Sequence, residues 1–236
     1  MKKIIHKAND RGKAEFGWLH SRHSFSFGHY YDPEKVNFGL LRVLNDDAVE
    51  PGSGFGTHPH DNMEIISIVL EGALAHKDSM GSKSVIRQGD VQVMSAGTGI
   101  THSEFNDSKI EEVKFLQIWI FPDRQGIKPR YEQNKFSINE LDNKILTIVN
   151  NEGNDGVLFI NQKAAISLGQ LKTSCQVNYK PFYKGNGIYI FNLEGSLKIA
   201  DEILEKRDAI GIWETDNVEI KAIADSKFVV IEVPMN

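Results

Sequence analysis

Two segments of this 236-residue chain carry side chains that bind metals: His58-Pro59-His60 and His102-Ser103-Glu104. In each, two donors sit at positions i and i+2. Side chains spaced that way on a β-strand share one face, so each segment aims two donors at one point. Three imidazoles and a carboxylate suit a transition metal, and an open coordination position beside them permits chemistry. A solitary surface histidine is ordinarily just solvated, and a buried one ordinarily has a hydrogen-bond partner and no further role. Two ligand pairs on strands, each flanked by glycine turns, are poorly explained in that way. Glu64, four residues past His60 at the start of the next strand, competes for the fourth position. Spacing favours Glu104, which shares a strand face with His102 and has no turn between them.

The elements that must hold these donors are strands. Apolar, β-branched runs recur at Leu40–Leu44, Ile65–Leu70, Val91–Met94, Phe115–Phe121, Ile145–Val149, Val157–Ile160, Ile188–Leu193, Val218–Ile223 and Phe228–Val233. Turn residues such as Asp78-Ser79-Met80-Gly81 and Lys184-Gly185-Asn186-Gly187 punctuate them. The pattern predicts an all-β sandwich or barrel fold. One helix is expected from Ser137 toward Leu141, capped by Ser137-Ile138-Asn139-Glu140. Pro59 cannot donate a ladder hydrogen bond, which suits an edge or a mouth.

A faint repeat joins the two halves. Leu70-Glu71-Gly72-Ala73-Leu74 returns as Leu193-Glu194-Gly195-Ser196-Leu197, each copy closing one apolar strand and leading to another. Two copies of one β-unit, joined near Asp123–Gln133, is the economical reading. All eight histidines lie within the first 102 residues. Counting back from Glu194 by the offsets that separate His58 and His60 from Glu71 reaches Pro181 and Tyr183, neither a plausible ligand. One metal site, in the N-terminal half, is therefore expected.

Composition narrows the classes. Lys and Arg number 27 against 32 Asp and Glu, a net charge of −5, which gives no support for nucleic-acid contact. No run approaches the ~18–20 apolar residues of a membrane helix, and the start of the chain has no signal-peptide apolar region. Cys175 is the single cysteine, so no intrachain disulfide forms; the expected compartment is the cytoplasm.

These motifs resemble the cupin superfamily, whose first motif is matched by Gly52, His58, His60, Glu64 and Gly72, with one extra residue before Gly72. The second cupin motif usually has Pro-x-Gly ahead of its histidine. Here Ser95-Ala96-Gly97-Thr98-Gly99-Ile100-Thr101 leads to His102. That departure, with Phe16–Leu19, His23–Pro33, Leu41–Asp47, Gly56–His60, Gln117–Ile120 and Pro129–Gln133, resembles the pirin family, in particular its bacterial members with quercetin 2,3-dioxygenase activity. The resemblance implies a bicupin: a metal-binding domain over residues 1–133 and a cupin-like domain without metal over 134–236. It implies His58, His60, His102 and Glu104 as ligands, with Glu64 behind them as a supporting residue. The His23–Pro33 segment is read as packing, and His20, His23 and His29 as making structural hydrogen bonds.

Iron(II) is the first expectation for the divalent transition metal, with manganese, nickel, cobalt, copper or zinc tolerated by the same ligands. The family implies a flavonol substrate and O2. Glu104 is the expected base for the flavonol 3-hydroxyl, after which O2 adds, the heterocycle opens and carbon monoxide is lost. The alternative is a metal- or redox-sensing co-regulator that docks a protein partner without turnover. A monomer is expected, with no direct nucleic-acid or membrane partner.

Overall fold

Strand after strand in this chain alternates buried with more exposed residues, even where the buried ones are polar. In Ile100–Asn106 the inward positions are Ile100, His102, Glu104 and Asn106. In Ala73–Asp78 they are Leu74, His76 and Asp78. Such strands need a partner layer on one face, and the fold supplies it twice. The structure is a computed structural model, and it describes residues 1–137 and 141–236. The helix expected from Ser137 toward Leu141 falls on residues 138–140, which lie outside the described residues. Among the described residues the one helical element is a 3-10 turn at Ala8–Asp10.

The first barrel opposes two sheets. Its larger sheet runs, in spatial order, β12 (Arg130–Lys135), β9 (Asp90–Ser95), β6 (Glu64–Glu71), β11 (Val113–Ile120), β4 (Leu41–Val49), β3 (Leu19–His23) and β2 (Gly12–Glu15). The smaller runs β5 (Gly54–His60), β10 (Ile100–Asn106), β7 (Ala73–Asp78) and β8 (Lys83–Arg87). The second barrel repeats this plan. Its larger sheet is β1 (Lys2–His6), β20 (Ala209–Trp213), β17 (Gly187–Glu194), β22 (Ser226–Val233), β15 (Ala165–Leu171), β13 (Lys144–Asn150) and β14 (Leu158–Phe159). Its smaller sheet is β16 (Gln176–Tyr179), β21 (Val218–Ala222), β18 (Leu197–Ile199) and β19 (Glu202–Leu204). This is the all-β fold expected from the strand pattern, in the two-domain cupin architecture that the family resemblance implies.

The repeat seen in the sequence is the same corner in both barrels. Leu70–Leu74 joins β6 to β7 and Leu193–Leu197 joins β17 to β18. Gly72 and Gly195 turn there at φ of 76° and 81°, a region that other residues enter only with strain. The strand that mirrors β5 is β16, so the places mirroring the histidines fall at Val177 and Tyr179, a few residues before the counted Pro181 and Tyr183. Neither pair includes a metal ligand.

The barrels meet face to face across their larger sheets. Ile66, Ile68, Leu116 and Ile118 from the first pack with Ile166, Leu168, Val229 and Ile231 from the second in one buried cluster. Each such side chain contributes ~1.5–3 kcal/mol by leaving water. Polar links cross the same seam: Arg11 and Arg207 both reach the Asp46 carboxylate at 3.2 Å. Lys2–His6 belongs to the first domain by sequence order, yet it is the edge strand of the second sheet, paired with β20. The physical reason is symmetry of edges. β12 pairs with β9 in one barrel and β1 with β20 in the other, so each fills the matching edge position of its sheet.

Candidate metal centre

Register brings the two sequence motifs together. β10 runs antiparallel to β5 with His102 opposite His58 and Ile100 opposite His60, and a bulge separates His102 from Glu104. The ring centroids of His58, His60 and His102 lie 4.5–4.9 Å apart. Their donor nitrogens all fall within 4.8 Å of one another. His58 donates from Nδ1 to the Gly56 carbonyl at 2.7 Å, which orients the ring and leaves Nε2 free to bind an ion. His102 is buried, and neither of its ring nitrogens has a hydrogen-bond partner. A buried polar atom left unpaired costs ~1–3 kcal/mol. A cation among the three imidazoles relieves that cost, so these residues fit a transition-metal ion. Burial lowers the pKa of His102 to about 2 and that of His60 to about 4, with neighbouring imidazoles adding to the effect. Both therefore stay neutral and ready to donate.

Glu104 sits on the same strand face, with one difference from expectation. Its carboxylate forms a second group with His102 and His76, whose donor atoms again lie within 4.8 Å of one another. His102 is the member common to both groups. The Glu104 oxygens accept from Gln117 Nε2 at 2.8 Å and from Ser67 Oγ at 3.2 Å. Burial pushes this carboxyl up to about 7 despite those two donors. His76 donates from Nε2 to Asp78 at 3.1 Å, and its ring lies 4.7 Å from Tyr131 and 5.3 Å from His102. Trp119 covers the outer side of the cluster, 4.9 Å from the His60 ring and edge-on to it. His58 and His60 are half-buried and His102 fully so, which gives the centre one open side.

Comparison with known proteins identifies the family. The family model described as Pirin matches residues 5–120, and that described as Quercetinase C-terminal cupin domain matches residues 147–233. Quercetin 2,3-dioxygenase of Escherichia coli strain K12 is 41% identical over 230 residues, covering 98% of each chain. The chain belongs to the pirin family. A crystal structure of the E. coli bacterial pirin YhhW in complex with nickel(II) matches this pirin with a TM-score of 0.93 and 39% identity over 99% of both chains. A quercetin 2,3-dioxygenase structure from Acinetobacter baumannii matches with a TM-score of 0.79 over 99% of this chain and 86% of that one; at 22% identity this is a likeness of fold alone.

In this pirin, Glu64 does not support the metal centre, and the expectation is corrected. β6 is buried on both faces. Ile65 and Ser67 point into the first barrel, so Glu64 points with Ile66 toward the second. There it accepts from Ser95 Oγ at 2.8 Å and from the Asn161 backbone N–H at 3.1 Å. Its work is to bridge the barrels. His20 hydrogen-bonds Glu15 as expected, but buried His23 leaves Nδ1 unpartnered. His76 was missed, although the signal was present. His76-Lys77-Asp78 has the same i, i+2 spacing as the two ligand motifs. Among the described residues no helix is long and apolar enough to cross a membrane.

Proposed function

We propose that this pirin is a metal-dependent dioxygenase that opens the heterocyclic ring of flavonols such as quercetin with O2 and releases carbon monoxide. The observation that carries the reading is three converging imidazoles, one of them the buried, unpartnered His102. It is supported by 41% identity to a protein named quercetin 2,3-dioxygenase. His58, His60, His102 and Glu104 would hold a divalent transition metal. Iron(II) is the first expectation, and nickel(II) is the ion in the related E. coli structure. When bound, such an ion supplies Lewis acidity toward the flavonol 3-hydroxyl and a redox-active centre for reaction with O2.

The protein's own groups do the rest. Glu104, as the carboxylate at the centre, would take the 3-hydroxyl proton. Gln117 and Ser67 orient it through their hydrogen bonds. Trp119 packs edge-on against the His60 ring and holds it in place. The stoichiometry balances without a reductant. Both oxygen atoms of O2 enter the organic product, and ring carbon C3 leaves with its own oxygen as carbon monoxide.

The test uses protein purified without metal affinity. Elemental analysis reports the bound ion, and an aerobic assay follows quercetin absorbance together with carbon monoxide. Stoichiometric absorbance loss and gas release are expected. No loss with iron, manganese, nickel, cobalt or copper overturns the reading.

A further inference from the structure

A cavity of about 630 Å³ opens beside the metal centre in the first barrel. Trp18, Phe27 and Phe55 form its walls, and His23, Asn45 and Asp47 its floor. The floor residues are only 4%, 3% and 4% exposed. Two of their polar atoms have no hydrogen-bond partner: Nδ1 of His23 and Oδ1 of Asn45. The two residues stand directly opposite each other on β3 and β4. The third floor residue, Asp47, holds the Ser21 hydroxyl.

The cavity adjoins the histidines through its own walls. Phe55 lies opposite Glu104 in the strand register, on the strand that carries His58 and His60. Asn45 lies opposite Gln117, which donates to Glu104. Trp119 links the wall to the cluster, with its ring 5.3 Å from Phe27 and 4.9 Å from His60. The volume lies in the ~300–1,000 Å³ range of small-molecule sites, with aromatic walls and a few placed polar groups.

We propose that this cavity seats a neutral, hydroxylated aromatic ring. The ring packs against Trp18 and Phe55, and two adjacent hydroxyls donate to Asn45 Oδ1 and His23 Nδ1. Given the flavonol reading of the metal centre, on which the assignment to substrate rests, this is the catechol-type ring remote from the reacting carbons. Burial favours the chemistry: it lowers His23 to about 4 and raises Asp47 to about 7, so the floor turns toward its uncharged forms.

Catechol is the probe, titrated without oxygen into the full chain and followed by calorimetry, with quercetin turnover measured in parallel. Catechol binds the wild type and His58→Ala with the same affinity, because the seat is separate from the histidine cluster. Asn45→Leu weakens it by at least about tenfold, as expected where a site built to pair a hydroxyl loses its partner. Trp18→Leu, at the half-buried rim, also weakens it and decides the matter if Asn45→Leu does not fold. The seat is overturned by three results: no catechol binding to the wild type, binding that both variants leave unchanged, or binding abolished by His58→Ala. Quercetin consumption without catechol binding removes the seat and keeps the dioxygenase. Catechol binding that is lost in Asn45→Leu, with no quercetin consumption, keeps the seat and removes the dioxygenase.

Discussion

Across the inner face of the first barrel, five neighbouring strands set Gln92, Ser67, Gln117, Asn45 and His23 side by side. Across the second, the matching strands set Ile210, Ile190, Val230, Ser167 and Thr147. The facing sheets differ in the same way. β10 and β7 turn His102, Glu104, His76 and Asp78 inward, where β21 and β18 turn Ile220, Ala222, Leu197 and Ile199. The second barrel therefore has one continuous apolar core. In the first, two smaller apolar clusters flank a polar middle, one around Leu74, Ile86 and Phe115 and the other around Ile65, Met94 and Ile100. One scaffold supports both because strand alternation asks only that a side chain point inward, and the backbone ladders are satisfied whatever it is. A metal centre gives up apolar filling, and the second barrel and the seam between the two offset that loss.

The contrast breaks most visibly at the histidines. His102→Ala should abolish ion binding and lower quercetin turnover beyond the ~10–100-fold range of supporting residues, while the melting temperature is kept or raised. Elemental analysis and scanning calorimetry check this, and a folded variant with full metal content refutes it. The converse test is Ile190→Ala in the second barrel, which leaves a cavity in the apolar core. It should destabilise by ~2–5 kcal/mol in denaturant unfolding and leave turnover per folded molecule unchanged.

Smaller effects sharpen the picture. Gln117→Leu removes a donor from the Glu104 carboxylate. It should cost ~10–100-fold in ion affinity or turnover and move the acid limb of the rate profile to higher pH, since the proton is then lost less readily. Ion affinity itself should rise between pH ~5 and ~7 and level off above. His102 and His60, held at about 2 and about 4, are already neutral in that window, whereas Glu104, held at about 7, must lose a proton to ligate. Glu104→Gln should flatten the rise, and affinity that fell only as an ordinary imidazole titrates would contradict the assignment. Glu64→Gln should have the smallest effect: unchanged metal content, with the melting temperature lowered by a few degrees, at ~2–4 °C per kcal/mol, through a weakened seam.

Much of this was legible in the chain. Apolar runs separated by turn residues marked the strands, and the Leu-Glu-Gly repeat marked the same corner of both barrels. The confinement of histidine to the first 102 residues marked which barrel holds the chemistry. The i, i+2 spacing placed His58 with His60, and His102 with Glu104, on shared faces, because strand geometry alone requires it. Pairing between strands distant in sequence was not legible. It lies in tertiary register, and register sets His102 opposite His58, groups Glu104 with His76, and sends Lys2–His6 to the far barrel. Glu64 shows the physical reason most clearly. Alternation sorts a strand's residues into two faces without naming which face is which. On β6, where both faces are buried, no polarity pattern breaks the tie. Only the packing of one barrel on the other turns Ser67 toward Glu104 and Glu64 toward Asn161.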